Sequence, residues 1–162
     1  MEIPKELSHC VKVALFRLSS GDLTTEEMQS YLSDPRRKNT GFPPEVACRT
    51  VELLTAEGFL DDKRYFLSYV KRLDEKLLGP RKIREELRRH KFPPSYIEAA
   101  LGRKISYGKR ARRLLEKKSG AERLKETPEG RKKLVDFLVR QGYDFSTAGS
   151  AVKQFSETED EF

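Results

Sequence analysis

His9 and His90 are the two histidines of the 162-residue chain, and neither stands at ligand spacing from a cysteine, a second histidine or a carboxylate. Both read as helix-surface residues. The pair Asp61-Asp62 has the residue type of a metal-dependent nuclease, but neighbours on a helix point about 100° apart, which favours capping over a shared ion. Asp61 can accept from the free N–H groups of a helix start, and Asp62 lies near the positive end of its dipole. Gly79-Pro80-Arg81-Lys82 lacks the Lys-Ser/Thr of a phosphate-cradling loop. No serine or cysteine has the local setting of a nucleophile. The chain reads as a non-enzyme that uses no metal and no cofactor. Lys63-Arg64-Tyr65-Phe66 mixes aromatics with cations as a base-stacking platform does. Its helical register puts Phe66 on an apolar stripe, which favours core packing there, and leaves Tyr65 at the margin, open to either role.

Charge is the stronger signal. The net charge is +7, and residues 79–118 alone carry 14 basic and 4 acidic groups, a block of +10 between near-neutral ends. Such a block attracts a polyanion or an acidic protein face; a solubilising face is the plain alternative. Hydrophobic and charged residues each make up 36%, with no Trp, which suits thin helical layers with long charged faces better than one deep core. Cys10 and Cys48, with no Cys-x-x-Cys, read as free thiols of a reducing compartment, a single disulfide being the alternative. No apolar run approaches the roughly 18 residues of a membrane span, and MEIPKELSHC lacks the pattern of a signal peptide, so a cytoplasmic protein is expected.

The elements that carry these residues repeat. Phe42-Pro43-Pro44 and Phe92-Pro93-Pro94 lie 50 residues apart, and Tyr143-Asp144 falls 51 residues after Phe92. Each opens an apolar helical pattern. Proline at a first helical position loses no hydrogen bond, because that N–H has no partner within the helix. The aromatic before the cap can pack one turn into the helix, as Phe92 on Ile97. Ile83 and Leu87 recur 51 residues later as Leu134 and Leu138, and 55 residues earlier as Met28 and Leu32, the loop SDPRRKNT being five residues longer. Phe66, Tyr69, Val70, Leu73 and Leu77 mark one face of a helix that Leu78-Gly79-Pro80 ends. Arg81/Glu85, Lys82/Glu86 and Glu85/Arg89 form i,i+4 pairs on the wet side of the next. The joints Gly41-Phe42, Lys91-Phe92 and Gly142-Tyr143 suit a left-handed residue, which makes Lys91 the odd member.

Nothing alternates with the period of a strand. The expected fold is all-α, an elongated array of three tandem three-helix repeats: residues 1–59, 60–102 and 103–155, followed by an acidic tail at 156–162. In the third repeat Tyr107, Ala111, Leu114 and Leu115 should face the core, turning Lys109, Arg110, Arg113 and Lys117 outward or to the flanks.

GFLDDKRYFLSYVKRL followed by GPRKIREEL resembles the RecX family, bacterial regulators of the recombinase RecA. The matching residues are Gly58, Leu60-Asp61-Asp62, Arg64, Tyr69-Val70, Gly79-Pro80, Ile83, Glu86 and Leu87. Phe66 stands where the family has a small Ala, Leu78 where it has Lys, and Lys91 where it has Gly. The resemblance implies a protein that lodges in the helical groove of a RecA–DNA filament and modulates, mostly inhibits, recombinase, ATPase and coprotease activities. The expected partners are that filament and single-stranded DNA, with double-stranded DNA as a further candidate. No membrane and no small-molecule substrate is expected, and the chain is expected to act as a monomer. The basic side chains expected to meet filament and DNA are Arg64, Arg81, Lys82, Arg84, Arg88, Lys109, Arg110, Arg113 and Lys117. The alternative is a stand-alone helical DNA-binding protein, transcriptional or architectural, whose basic block would serve phosphates equally well.

Overall fold

The computed structural model describes residues 4–158; residues 159–162 of the expected acidic tail lie outside them. Among the described residues the chain is wholly helical. The elements run α1 (Lys5–Leu18), α2 (Thr25–Ser33), α3 (Pro44–Ala56), α4 (Asp62–Glu75), α5 (Pro80–Arg89), α6 (Pro94–Leu101), α7 (Tyr107–Lys117), α8 (Ala121–Leu124), α9 (Pro128–Arg140) and α10 (Phe145–Glu157). The sequence pattern predicts nine helices. The extra one is the single turn α8, too short to show a period.

The helix starts follow their side chains. Thr24 and Glu27 form a reciprocal capping box on α2. Asp61 accepts from the Arg64 amide at 3.0 Å, and Asp144 from the Thr147 amide at 2.7 Å. Pro44, Pro94 and Pro128 each stand first in their helices.

The chain forms two compact units. One comprises the residues through Ser68 together with Arg88–Pro93; the other comprises Tyr69–Leu87 and the residues from Pro94 onward. In the first unit α1, α2 and α3 enclose Cys10, Ala14, Leu23, Met28, Leu32, Ala47, Val51, Leu54 and Leu60. Both cysteines are free thiols. Asp62 accepts from the Thr25 amide at 2.8 Å and from its hydroxyl at 2.9 Å, tying the start of α4 to the start of α2. In the second unit α7, α9 and α10 enclose Leu115, Leu134, Leu138, Tyr143, Val152 and Phe155.

Two details of α4 differ from the periodic reading. Tyr65 is buried and Phe66 only half-buried, because the Tyr65 ring lies 5.2 Å from that of Phe92 and Phe66 meets Phe92 edge-on at 5.8 Å. The base-stacking role left open for Tyr65 is thereby excluded. Leu77, read as the last residue of the apolar face, lies beyond the helix in the left-handed region at φ 55°. Its amide donates to the Asp74 carbonyl and that of Leu78 to the Leu73 carbonyl, which closes a Schellman turn around a residue with a side chain.

His90 is also more than a surface residue. Its Nδ1 lies 2.9 Å from the Glu27 carboxylate, and the Thr24 hydroxyl donates to its carbonyl at 2.9 Å. A carboxylate 63 residues away has no signature in local spacing.

Candidate polyanion-binding surface

The basic block divides into cations that hold the fold and cations that face outward. Helix α7 sets the division. Ala111 and Leu115 are buried and Tyr107 and Leu114 half-buried, as their spacing predicts. Lys109, Arg113 and Lys117 are exposed. Arg110 is the correction: it turns inward, its side chain 12% exposed, donating to Asp74 at 3.0 Å and to the Leu78 carbonyl at 3.1 Å. An outward position would have left Asp74 and the open Leu78 carbonyl with fewer donors.

Asp74 is the node of this arrangement. Arg103 grips both its oxygens, at 2.7 and 3.0 Å, and also donates to the Ala100 carbonyl. Burial pushes the Asp74 carboxyl up, but hydrogen bonds from Arg103 and Arg110, and the charges behind them, outweigh it and hold the group below its ordinary range. An aspartate in the last turn of a helix opposes the helix dipole. That local conflict is the one sequence signal that could have pointed to two arginines from elsewhere.

The same region contains a backbone-to-backbone joint. The Gly79 amide donates to the Gln141 carbonyl at 2.9 Å and the Arg81 amide to the Gly142 carbonyl at 3.1 Å. A Cβ on Gly79 would overlap the backbone of Gly142 and Tyr143, and one on Gly142 would overlap Lys82. The Tyr143 hydroxyl, buried with its pKa pushed well up by that burial, donates to the Leu77 carbonyl at 2.5 Å.

The other expected binding residues are placed as follows. Arg81 is exposed, with its guanidinium donating to the Val139 carbonyl. Lys82 pairs with Glu85 at 3.6 Å, an i,i+3 pair in place of the i,i+4 pair the spacing suggests, while Glu86 accepts from the Tyr69 hydroxyl at 2.7 Å. Arg84 reaches Glu98 at 3.4 Å. Arg64 is exposed and donates to the Gly58 carbonyl at 3.1 Å; Arg88 is exposed.

One residue that sequence reasoning missed belongs here. Lys71, Arg113 and Lys117 line one groove with Asp74, Glu75 and Leu77. All three cations are exposed, and among the described residues none forms an ion pair. With Asp74 committed to Arg103 and Arg110, the groove presents positive charge to whatever enters it. Lys71 lies outside the basic block in sequence, so only the fold brings it alongside α7. The described residues contain no group of acids, histidines and cysteines suited to a metal, and no helix long and apolar enough to cross a membrane.

Comparison with known proteins gives a consistent result. The family model for the second three-helix domain of RecX matches residues 61–101, and that for the third matches residues 108–152. A regulatory protein RecX of Trichlorobacter lovleyi is 32% identical over 84% of this chain and 88% of its own. Another, of Xanthomonas oryzae, is 31% identical over 70% and 71%. A crystal structure of a regulatory protein RecX superimposes with a TM-score of 0.67 over 94% of this chain and 72% of that one; at 23% identity it speaks for the fold.

Proposed function

This chain belongs to the RecX family of regulatory proteins, and from that premise we propose that it regulates a RecA recombinase by binding the groove of the RecA–DNA filament, mostly as an inhibitor. The contact surface is the outward basic face of the second unit: Lys109, Arg113 and Lys117 on α7, Lys71 beside them, with Arg81, Lys82 and Arg84 as further contacts; in the first unit, Arg64 and Arg88 are separate contacts. Arg110 supports the surface from behind. On this reading the three repeats span 1–59, 60–102 and 103–155, and the protein works as a monomer in the cytoplasm. The observation that carries this reading is the groove where Lys71, Arg113 and Lys117 stand exposed without ion pairs, beside a carboxylate already neutralised by two arginines. Cations kept free in this way can neutralise phosphate or an acidic protein surface without first breaking an internal pair.

The test is the double substitution Arg113→Glu with Lys117→Glu, measured against RecA–single-stranded-DNA filaments over a salt series. The Kd should rise roughly tenfold, about 1.4 kcal/mol, with inhibition of filament ATPase weakened in parallel. If these residues meet phosphates, the salt slope should also fall by roughly 0.7 per lost contact. Wild-type affinity and slope in the folded variant would remove this surface from the filament contact. Tight binding to DNA alone, unchanged by recombinase, would favour a stand-alone DNA-binding protein.

A further inference from the structure

The loop that makes the first repeat five residues longer than the others is built into a second cationic groove. The groove, of about 600 Å³, is lined by Arg17 from the end of α1, Glu27, Ser30 and Tyr31 from α2, Asp34, Arg36 and Arg37 from the loop, and Arg89 and Lys91 from the end of α5. Arg89 aside, four cations thus meet two carboxylates. Glu27 is engaged by His90 and by its own capping box, and Asp34 by Arg36 and Arg37.

The loop is held in one shape. Asp34 receives both the Nε and Nη2 of Arg36, at 2.9 and 3.2 Å, as well as the Arg36 amide at 3.1 Å. Hydrogen bonding from the Arg36 side chain holds the Asp34 carboxyl at about 2, so it stays ionised at any working pH. The Thr40 hydroxyl returns to the Asp34 carbonyl, and the Gly41 and Phe42 amides both donate to the Leu32 carbonyl. Arg36 is nevertheless 87% exposed and Arg37 61%. Arg17 and Arg37 both lie over the Tyr31 ring, 5.7 and 5.5 Å from its centre. A guanidinium held over an aromatic face is positioned in advance, and the N–H donors it does not spend on Asp34 can meet a phosphodiester oxygen.

We propose that this groove of the first repeat binds the phosphodiester backbone of a single-stranded nucleic acid, independently of the basic face of the second unit. A flexible strand can follow a groove lined by Arg17, Arg37 and Lys91, whereas a stiff duplex bridges over it. An acidic peptide offers isolated carboxylates with no planar base to lie against an arginine–tyrosine stack. This also gives the long loop a purpose that helix geometry does not supply, because the other two repeats turn the same corner without it.

The experiment uses the full chain, no recombinase, and a fluorescent oligothymidylate as the probe. Arg17→Gln with Arg37→Gln should raise the Kd roughly tenfold and lower the salt slope by about 1.4, near 0.7 for each of two contacts. Arg37→Gln with Lys91→Gln, which leaves the α1 arginine in place, should do the same and covers the case in which the first pair misfolds. Unchanged affinity in folded variants would overturn the proposal. So would an equal loss of binding to poly-glutamate, or to a duplex of the same length. Because RecA is absent, failure here leaves the filament reading standing; the converse holds for Arg113 and Lys117.

Discussion

Lys91 and Gly142 stand at the same position after their helices, Lys91 in the first unit just after α5 and Gly142 in the second just after α9. Both are left-handed, at φ 57° and 102°, and the amide of each donates three residues back, to Arg88 and Val139. The demands on the side chain differ. Gly142 lies against Lys82 and Gly79 with no room for a Cβ, whereas Lys91 reaches out to the Ser30 hydroxyl at 2.6 Å and lines the cationic groove. One turn requires glycine for space; the other tolerates backbone strain and puts a charge in return. Conformation alone therefore does not decide which residue a left-handed turn carries. What the turn packs against does.

Five variants bear on that contrast. Gly142→Ala should be the most damaging, because it adds strain at a positive φ and forces apart a backbone joint; a loss of roughly 3–5 kcal/mol is expected in urea unfolding. A loss under about 1 kcal/mol would mean the joint can open at little cost. Asp74→Asn comes next. It leaves Arg103 and Arg110 half-buried without their anion, costing roughly 1–3 kcal/mol after allowance for the 29% exposure of Asp74. Because the folded Asp74 pKa is depressed, its stabilisation is whole above the unfolded value of about 3.9 and disappears as pH falls through the folded value. Acid titration should accordingly show a stability loss below about pH 4 that Asp74→Asn partly abolishes; identical pH profiles would sink the anchoring role.

Smaller effects follow. Lys91→Gly should raise stability by about 0.5 kcal/mol, the relief of strain exceeding the worth of one exposed hydrogen bond. A lowered midpoint would show the Ser30 bond to be the larger contribution. The smallest change is expected for Arg113→Gln with Lys117→Gln, within about 0.5 kcal/mol, since neither makes an internal pair. Arg110→Gln, one turn away on the same helix, should cost clearly more. Equal stabilities would erase the distinction between a cation that holds the fold and one that faces outward.

Much of the helix plan was legible in order alone. The pairs Met28/Leu32, Ile83/Leu87 and Leu134/Leu138 are all fully buried, and the aromatic-Pro-Pro and Tyr-Asp devices open helices where they stand. These rest on periodicity and capping, which act between residues a few positions apart and so leave a trace in sequence. The outward face of α7 was legible for the same reason at Lys109, Arg113 and Lys117. The tertiary structure alone decided that Arg110 turns in to Asp74, that Lys71 joins Arg113 and Lys117, that His90 meets Glu27, and that Gly79 lies against Gly142. Each of those joins groups from distant parts of the chain. Charge and glycine content announce that such partners are possible, but only the folded backbone selects which pair comes within reach.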